Sequence, residues 1–346
     1  MRHTDNAIIE GNIGKGKSGK IYLVDIAKKD VIKDSTEVKD GHFVFTYTPS
    51  QTFLPFEAML LMWNNSPGKR YLRPLGYQNP YKSKYIESVF YVDRGTTFID
   101  YKAAEDNFGA YTIKGSKQNE PYYRQLTLYN INRNQSITER ERLIANTSNL
   151  IAKYPYSFYL LNMLYCNREQ YTLEELKSLM DEFDDDAKAL SQYNKLNDWI
   201  NFKKKGGEIN LAYMVLQNER GKKEHILDTT QKINMLVFWA SWCGPCRNEI
   251  PELKNLYLKY HSKGLSITSI SLDNNKNHWQ NALSIEKMPW KQLIANDSAK
   301  HTFDLSYNIT TIPTIVLING KNQPIQLLND LSSKDRLYRS LSILDK

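Results

Sequence analysis

Along the first third of the chain, apolar residues come in short runs of β-branched and aromatic side chains separated by turn residues. Ile21-Tyr22-Leu23-Val24, Phe43-Val44-Phe45-Thr46-Tyr47 and Val89-Phe90-Tyr91-Val92 predict strands, and Asp40-Gly41 supplies a turn ahead of the second. Residues 1–120 therefore read as an antiparallel β domain. From Ser136 the period changes to that of a helix. Thr138 and Glu141 have capping-box spacing, followed by Leu143, Ile144, Thr147, Leu150 and Ile151 on one face, and Tyr154-Pro155 ends the run. Thr172 and Glu175 form a second box before Leu173, Leu176, Leu179, Met180 and Phe183, and Ala187 to Phe202 continues in helical style. Residues 121–207 read as a helical connector.

After Lys205-Gly206-Gly207 the pattern becomes α/β, so the third segment is taken as 208–346. A fully apolar strand, Met235-Leu236-Val237-Phe238-Trp239, leads into a helix from Cys243, with another strand from about Ile267 to Leu272. A helical stretch around Trp279 follows. Then come a strand Thr314 to Ile318, an Asn319-Gly320 turn, a strand from Pro324 to Leu328, and a closing helix carrying Leu337, Leu341 and Leu344. No internal repeat is visible.

Composition narrows the function classes. The net charge is +8, but apart from Lys203-Lys204-Lys205 the bases are scattered, and Asp184-Asp185-Asp186 lies nearby, so nucleic acid is not an expected partner. Even the richest apolar stretch, Ala58 to Trp63, is short and flanked by charge, which argues against a membrane span. Met1-Arg2-His3-Thr4-Asp5-Asn6 lacks the apolar core of a signal peptide. That leaves a cytosolic protein or a mature form numbered after cleavage. Three cysteines cannot build a multi-disulfide framework, and Cys166, among Leu160, Leu161, Leu164 and Tyr165, reads as a buried small apolar residue.

Gly11-Asn12-Ile13-Gly14-Lys15-Gly16-Lys17-Ser18 matches the phosphate-loop pattern, yet that mechanism needs a helix starting at the Lys-Ser pair. Lys20 to Val24 alternates toward strand instead. A hairpin turn is the expected reason for these glycines.

Trp242-Cys243-Gly244-Pro245-Cys246 is the motif that carries chemistry. It follows an apolar strand after one short turn, so Cys243 falls at a helix N-terminus, where the dipole and free amides stabilise a thiolate. Cys243 is then the nucleophile, and Cys246, one turn inward, is the resolving thiol. Half a zinc site or a static disulfide are the other readings of such a pair. Zinc needs further ligands, and His3, His42, His225, His261, His278 and His301 are dispersed, so neither a metal nor a cofactor is expected.

Val237 to Arg247 resembles the active-site strand and helix of thioredoxin, and Thr311-Ile312-Pro313-Thr314 resembles that family's cis-proline loop. The resemblance covers about Glu208 to Lys346. It implies a thioredoxin fold, a cis Ile312–Pro313 bond, and a loop beside the Cys243 sulfur that pairs with an extended substrate segment. Trp242, Gly244, Pro245, Ile312 and Pro313 would contact that substrate. Two departures matter. Val237 stands where thioredoxin carries a buried aspartate, and Glu249 in Cys246-Arg247-Asn248-Glu249-Ile250-Pro251 resembles membrane-anchored thioredoxin-like reductases that serve cytochrome c maturation. Glu249 is read two ways: as acceptor of the Cys246 proton, which would also raise the thiol pKa, or as a solvated first-turn residue favoured by the dipole. The interval between Cys246 and Pro313 leaves room for an insertion at Asp273 to Trp290, with Trp279 and Trp290 as core or rim packing.

More weakly, Asp34-Ser35, Asp40-Gly41-His42-Phe43 and Ile113-Lys114-Gly115-Ser116 resemble exported bacterial proteins that join an uncharacterised β domain to a thioredoxin-like domain. That resemblance implies periplasmic residence, often through an N-terminal lipid anchor absent from this chain. The expectation is a periplasmic thiol-disulfide oxidoreductase that reduces protein disulfides, draws on an upstream thiol electron donor, and uses its N-terminal half to dock or select a protein. Gly244-Pro245 between the cysteines resembles the reducing members. Two other readings stay open. A peroxiredoxin-like peroxidase would need Thr-x-x-Cys after a proline, and a partner-binding module would make the thiols incidental.

Overall fold

The structure is a computed structural model. It describes residues 6–26, 32–47, 55–66, 69–82, 86–101, 111–124, 135–207, 211–309, 311–321, 323–328 and 334–345. Glu208, where the sequence places a domain boundary, lies outside them. The chain divides into two compact units, Met1–Asn197 and Asp198–Lys346.

In the first unit the strands are β1 (Ala7–Asn12), β2 (Gly19–Asp25), β3 (Ile32–Val38), β4 (His42–Tyr47), β5 (Phe56–Ser66), β6 (Lys69–Pro74), β7 (Tyr77–Gln78), β8 (Ile86–Glu87), β9 (Val89–Val92), β10 (Gly95–Tyr101) and β11 (Tyr111–Lys114). One sheet has the order β4-β1-β10-β11-β7-β8. The other runs β3-β2-β5-β6, with β9 also on β5. Alternation sets the buried face: Ile9, Phe43, Phe45 and Ile99 from one sheet, and Ile21, Leu23, Leu60 and Phe90 from the other, form one apolar core. Most pairings are antiparallel, as the sequence suggests, but β1 runs parallel to β10 and β11 parallel to β7.

The phosphate-loop lookalike joins two sheets, so it is not the expected hairpin turn: β1 belongs to the first sheet and β2 to the second. Gly14 and Gly16 have positive φ, and the segment is tied to the Asp40-Gly41 turn by Gly41 N–H to Lys17 O at 2.7 Å and Gly16 N–H to Asp40 Oδ1 at 2.8 Å. A strand follows the Lys-Ser pair, which leaves no helix N-terminus to face an anion.

The helices are α1 (Asn119–Tyr123), α2 (Ile137–Lys153), α3 (Phe158–Cys166), α4 (Leu173–Asp181), α5 (Asp185–Lys188) and α6 (Ser191–Lys204); the division between units falls inside α6. The capping box expected at Thr138 is not formed. Ser136, in extended conformation, caps α2 by accepting from Glu139 N–H, which leaves Thr138 inside the first turn. The Thr172–Glu175 box does form on α4. Cys166, expected to be buried, ends α3 and is only half-buried.

The second unit holds β12 (Val215–Asn218), β13 (Lys223–His225), β14 (Ile233–Trp239), α7 (Gly244–Tyr260), β15 (Leu265–Ser271), α8 (Lys276–Glu286), β16 (Lys291–Ile294), α9 (Asp297–Tyr307), β17 (Thr314–Asn319), β18 (Pro324–Leu328) and α10 (Lys334–Leu341). The sheet order is β13-β12-β16-β15-β14-β17-β18. Every residue of β14 is buried because helices cover both faces. Met235 and Val237 pack with Leu253, Leu256 and Tyr260 of α7 and Leu337 and Leu341 of α10. Leu236 and Phe238 pack on the other side with Ala299 and Phe303 of α9. Among the described residues no helix is long and apolar enough to cross a membrane.

Gly41 has φ +85°, and a Cβ there would lie 2.3 Å from Gly14 O. Gly41→Ala should destabilise the β unit by more than about 1 kcal/mol in urea unfolding, because the clash is with backbone and the φ disfavours a side chain. Lys17→Ala should leave the midpoint unchanged.

Candidate active site

The site forms where the ladders of β14 end. On one side Phe238 pairs with Thr314 of antiparallel β17, so the residues just before Thr314, Pro313 and Ile312, run alongside the residues just after Phe238. On the other side Trp239 pairs with Ser271 of parallel β15, which brings Leu272 and Asp273 beside Ala240 and Ser241. Two segments distant in sequence thus meet the Trp242-Cys243 turn by register alone.

That turn is closed by Cys243 N–H donating to Ala240 O at 3.0 Å. Cys243 is the N-cap of α7, in extended backbone, and its Sγ accepts from Cys246 N–H at 3.2 Å. An amide at a helix N-terminus has no partner within the helix, and here the cysteine sulfur takes it. Pro245 fits the first turn because it has no N–H to satisfy. Gly244 faces open space.

Cys243 and Cys246 are joined by a disulfide. Both are almost fully buried, in a cluster with Trp239, Ala240, Trp279 and Ala282, flanked by Leu283, Met288, Ile294 and Ile312. Part of this cover comes from the segment Asp273 to Trp290: α8 brings Trp279, fully buried, into the same cluster. Trp290 packs lower in the core and donates its indole N–H to Ser269 Oγ at 2.8 Å. Trp242, by contrast, is 38% exposed.

The Ile312–Pro313 peptide bond is cis, and Ile312 O lies 3.8 Å from Cys243 Sγ. Thr314 Oγ1 donates to Thr311 O at 2.7 Å across that bond. Tyr307, packed in the same layer as Ile312, has its phenol pushed up to about 12 by burial and stays neutral where thiols exchange. Glu249 sits one turn beyond Cys246 on α7, half-buried, with Oε2 out of reach of solvent. Arg247 pairs with Glu286 of α8 at 2.6 Å, and Lys254 Nζ donates to Glu286 O at the same distance, which fastens α8 to α7. Among the described residues no cluster of three or more His, Cys, Asp or Glu could hold a metal ion.

Sequence reasoning missed Asp273. It is 4% exposed and accepts from Ser241 N–H at 2.9 Å, Ser241 Oγ at 2.7 Å and Ser271 Oγ at 2.7 Å. A carboxylate closing a strand of buried residues was the available signal.

Residues 231–324 match a family model described as thioredoxin-like. The C-terminal domain is thioredoxin-like. Residues 7–122 match a domain of unknown function, DUF4369, in keeping with the uncharacterised β domain that the sequence resembles. The thiol-disulfide oxidoreductase ResA of Bacillus subtilis (strain 168) is 23% identical over 130 residues, covering 38% of this chain and 71% of that protein. ResA of Bacillus thuringiensis subsp. konkukian is 29% identical over 127 residues, covering 37% and 72%. A solved thiol-disulfide oxidoreductase from Bacteroides fragilis is 27% identical, covers 38% of this chain and 100% of that one, and has a TM-score of 0.34. With homologues of this kind over its thioredoxin-like domain, the protein is an oxidoreductase.

Trp279→Ala would open a cavity in the apolar cluster that buries the disulfide. It should cost about 3–5 kcal/mol in denaturant unfolding. The same change should speed alkylation of the reduced cysteines, because it uncovers them.

Proposed function

We propose that this protein reduces protein disulfides through Cys243 and Cys246, in the periplasm, drawing electrons from an upstream thiol donor. The observation that carries the reading is the position of Cys243 Sγ, at a helix N-cap with the Cys246 amide 3.2 Å away and an exposed tryptophan beside it. Such a place favours the thiolate, which is the attacking species.

In this reading the reduced protein attacks a substrate disulfide with the Cys243 thiolate. A bond forms between Cys243 Sγ and one substrate sulfur, and the other leaves as a thiolate that takes up a proton. Cys246, deprotonated, then attacks Cys243 Sγ. The second substrate sulfur leaves, the Cys243–Cys246 disulfide closes, and two electrons have passed to the substrate. A donor dithiol reverses the last step on the protein. Trp242, Gly244, Pro245 and the Ile312-Pro313 loop form the substrate contact surface, with Ile312 O available to a peptide N–H or, in the reduced state, to the Cys243 thiol. The burial of Cys246 gives its proton few exits, and Glu249, one turn on with an enclosed oxygen, supports a role as acceptor. The β domain serves to dock or select the protein substrate.

Equilibration in dithiothreitol buffers, with reduced thiols counted by alkylation, should give a potential near about −270 mV, as for a reductase. A value near about −120 mV would make the protein an oxidant, and no reversible couple would sink the redox reading. Glu249→Gln should lower the pH midpoint of thiol alkylation, because a carboxylate beside a thiol disfavours a second negative charge. It should also slow release of substrate from the mixed disulfide. An unmoved profile would return Glu249 to an ordinary helix residue.

A further inference from the structure

We propose that Asp273 is a positioning residue for Cys243, acting as a clamp that fixes the turn from which the nucleophile projects. The proposal rests on the reading of Cys243 as the attacking thiol.

The turn runs Ala240-Ser241-Trp242-Cys243 and is closed by Cys243 N–H to Ala240 O at 3.0 Å. Ser241 is its first corner residue. Asp273 grips Ser241 twice, by Oδ2 on the backbone N–H at 2.9 Å and by Oδ1 on the hydroxyl at 2.7 Å. A two-point hold fixes both the position and the rotation of that corner. The carboxylate is itself held: Oδ2 accepts from Ser271 Oγ at 2.7 Å, and Asp273 N–H donates to the same Ser271 oxygen at 3.0 Å. Ser271 is the last residue of β15, in register with Trp239, and Leu272 N–H donates to Trp239 O at 2.9 Å. The clamp is thus anchored in the sheet and reaches the turn that sheet leads into.

The charged neighbour of the Asp273 backbone is Lys300, whose Nζ lies 3.5 Å from Asp273 O and 2.6 Å from Asn274 Oδ1. It does not contact the carboxylate oxygens in these bonds, so the three hydroxyl and amide donors are what the carboxylate serves. Charge-assisted bonds of this kind are the stronger sort, and burial at 4% exposure keeps water from competing for them. The functional consequence follows from Cys246 N–H, which meets Cys243 Sγ at 3.2 Å only while the turn holds Cys243 at the cap. Loosening the corner moves the sulfur off that amide, and the thiolate loses its stabilising partner.

Two variants separate a clamp from a nearby charge. Asp273→Asn removes the charge and offers one acceptor oxygen instead of two. Ser241→Ala keeps the charge and the backbone bond but removes the hydroxyl bond. In the full-length protein, reduced with dithiothreitol and freed of it, the rate of Cys243 alkylation by iodoacetamide is measured against pH, with near-UV circular dichroism as a check on folding. A clamp predicts that both variants raise the alkylation midpoint and slow the reaction at pH 7, by about tenfold for Asp273→Asn and less for Ser241→Ala. A lowered midpoint in Asp273→Asn with Ser241→Ala at wild type would overturn the proposal in favour of a charge effect. Unmoved profiles in both would reduce Asp273 to a fold-stabilising residue. If Asp273→Asn fails to fold, Ser241→Ala and Ser271→Ala decide between the same outcomes. Wild-type protein that alkylates readily yet reduces no disulfide sinks the reductase reading and leaves the clamp measurable.

Discussion

Strand β14 is hydrogen-bonded along both edges, to β15 in parallel and to β17 in antiparallel register, and the site depends on where those two ladders stop. Because a strand's side chains alternate, a slip of one residue on either side would turn Met235 and Val237 away from α7 and Leu236 and Phe238 away from α9. The two apolar layers therefore pin the register. The pinned register in turn decides that Ile312-Pro313 and Asp273 meet the cysteine turn. Geometry at the sulfur is inherited from packing some distance away.

Much of this was legible from residue order. The apolar run Met235 to Trp239, followed at once by Trp242-Cys243-Gly244-Pro245-Cys246, announces a buried strand feeding a helix cap, since both signals are local. The resemblance to thioredoxin supplied the Ile312-Pro313 loop, which spacing alone could not. What escaped was non-local. Asp273 looked like the start of an inserted segment, and only the pairing of Trp239 with Ser271 shows that its carboxylate closes on Ser241. Strand β16 went unseen for the related reason that Lys291–Ile294 is short and acquires its strand character from its neighbours.

The first unit teaches the same lesson in another form. Its strands Gly19–Asp25 and His42–Tyr47 carry alternation strong enough to be seen. The parallel pairing of β1 with β10 leaves no such mark, because eight other strands lie between the two in sequence. The misplaced cap at Thr138 shows a subtler limit. Ser136 and Thr138 are both competent caps, and the backbone conformation, extended at Ser136, chooses between them.

Two indoles, Trp239 and Trp279, lie in the same cluster as the Cys243–Cys246 bond. Disulfides quench excited indoles at contact range, while thiols do so less strongly. The apolar lid over the cysteines is therefore also a built-in optical gauge: ultraviolet emission from the protein should brighten as the pair is reduced and dim as it closes, with no label attached.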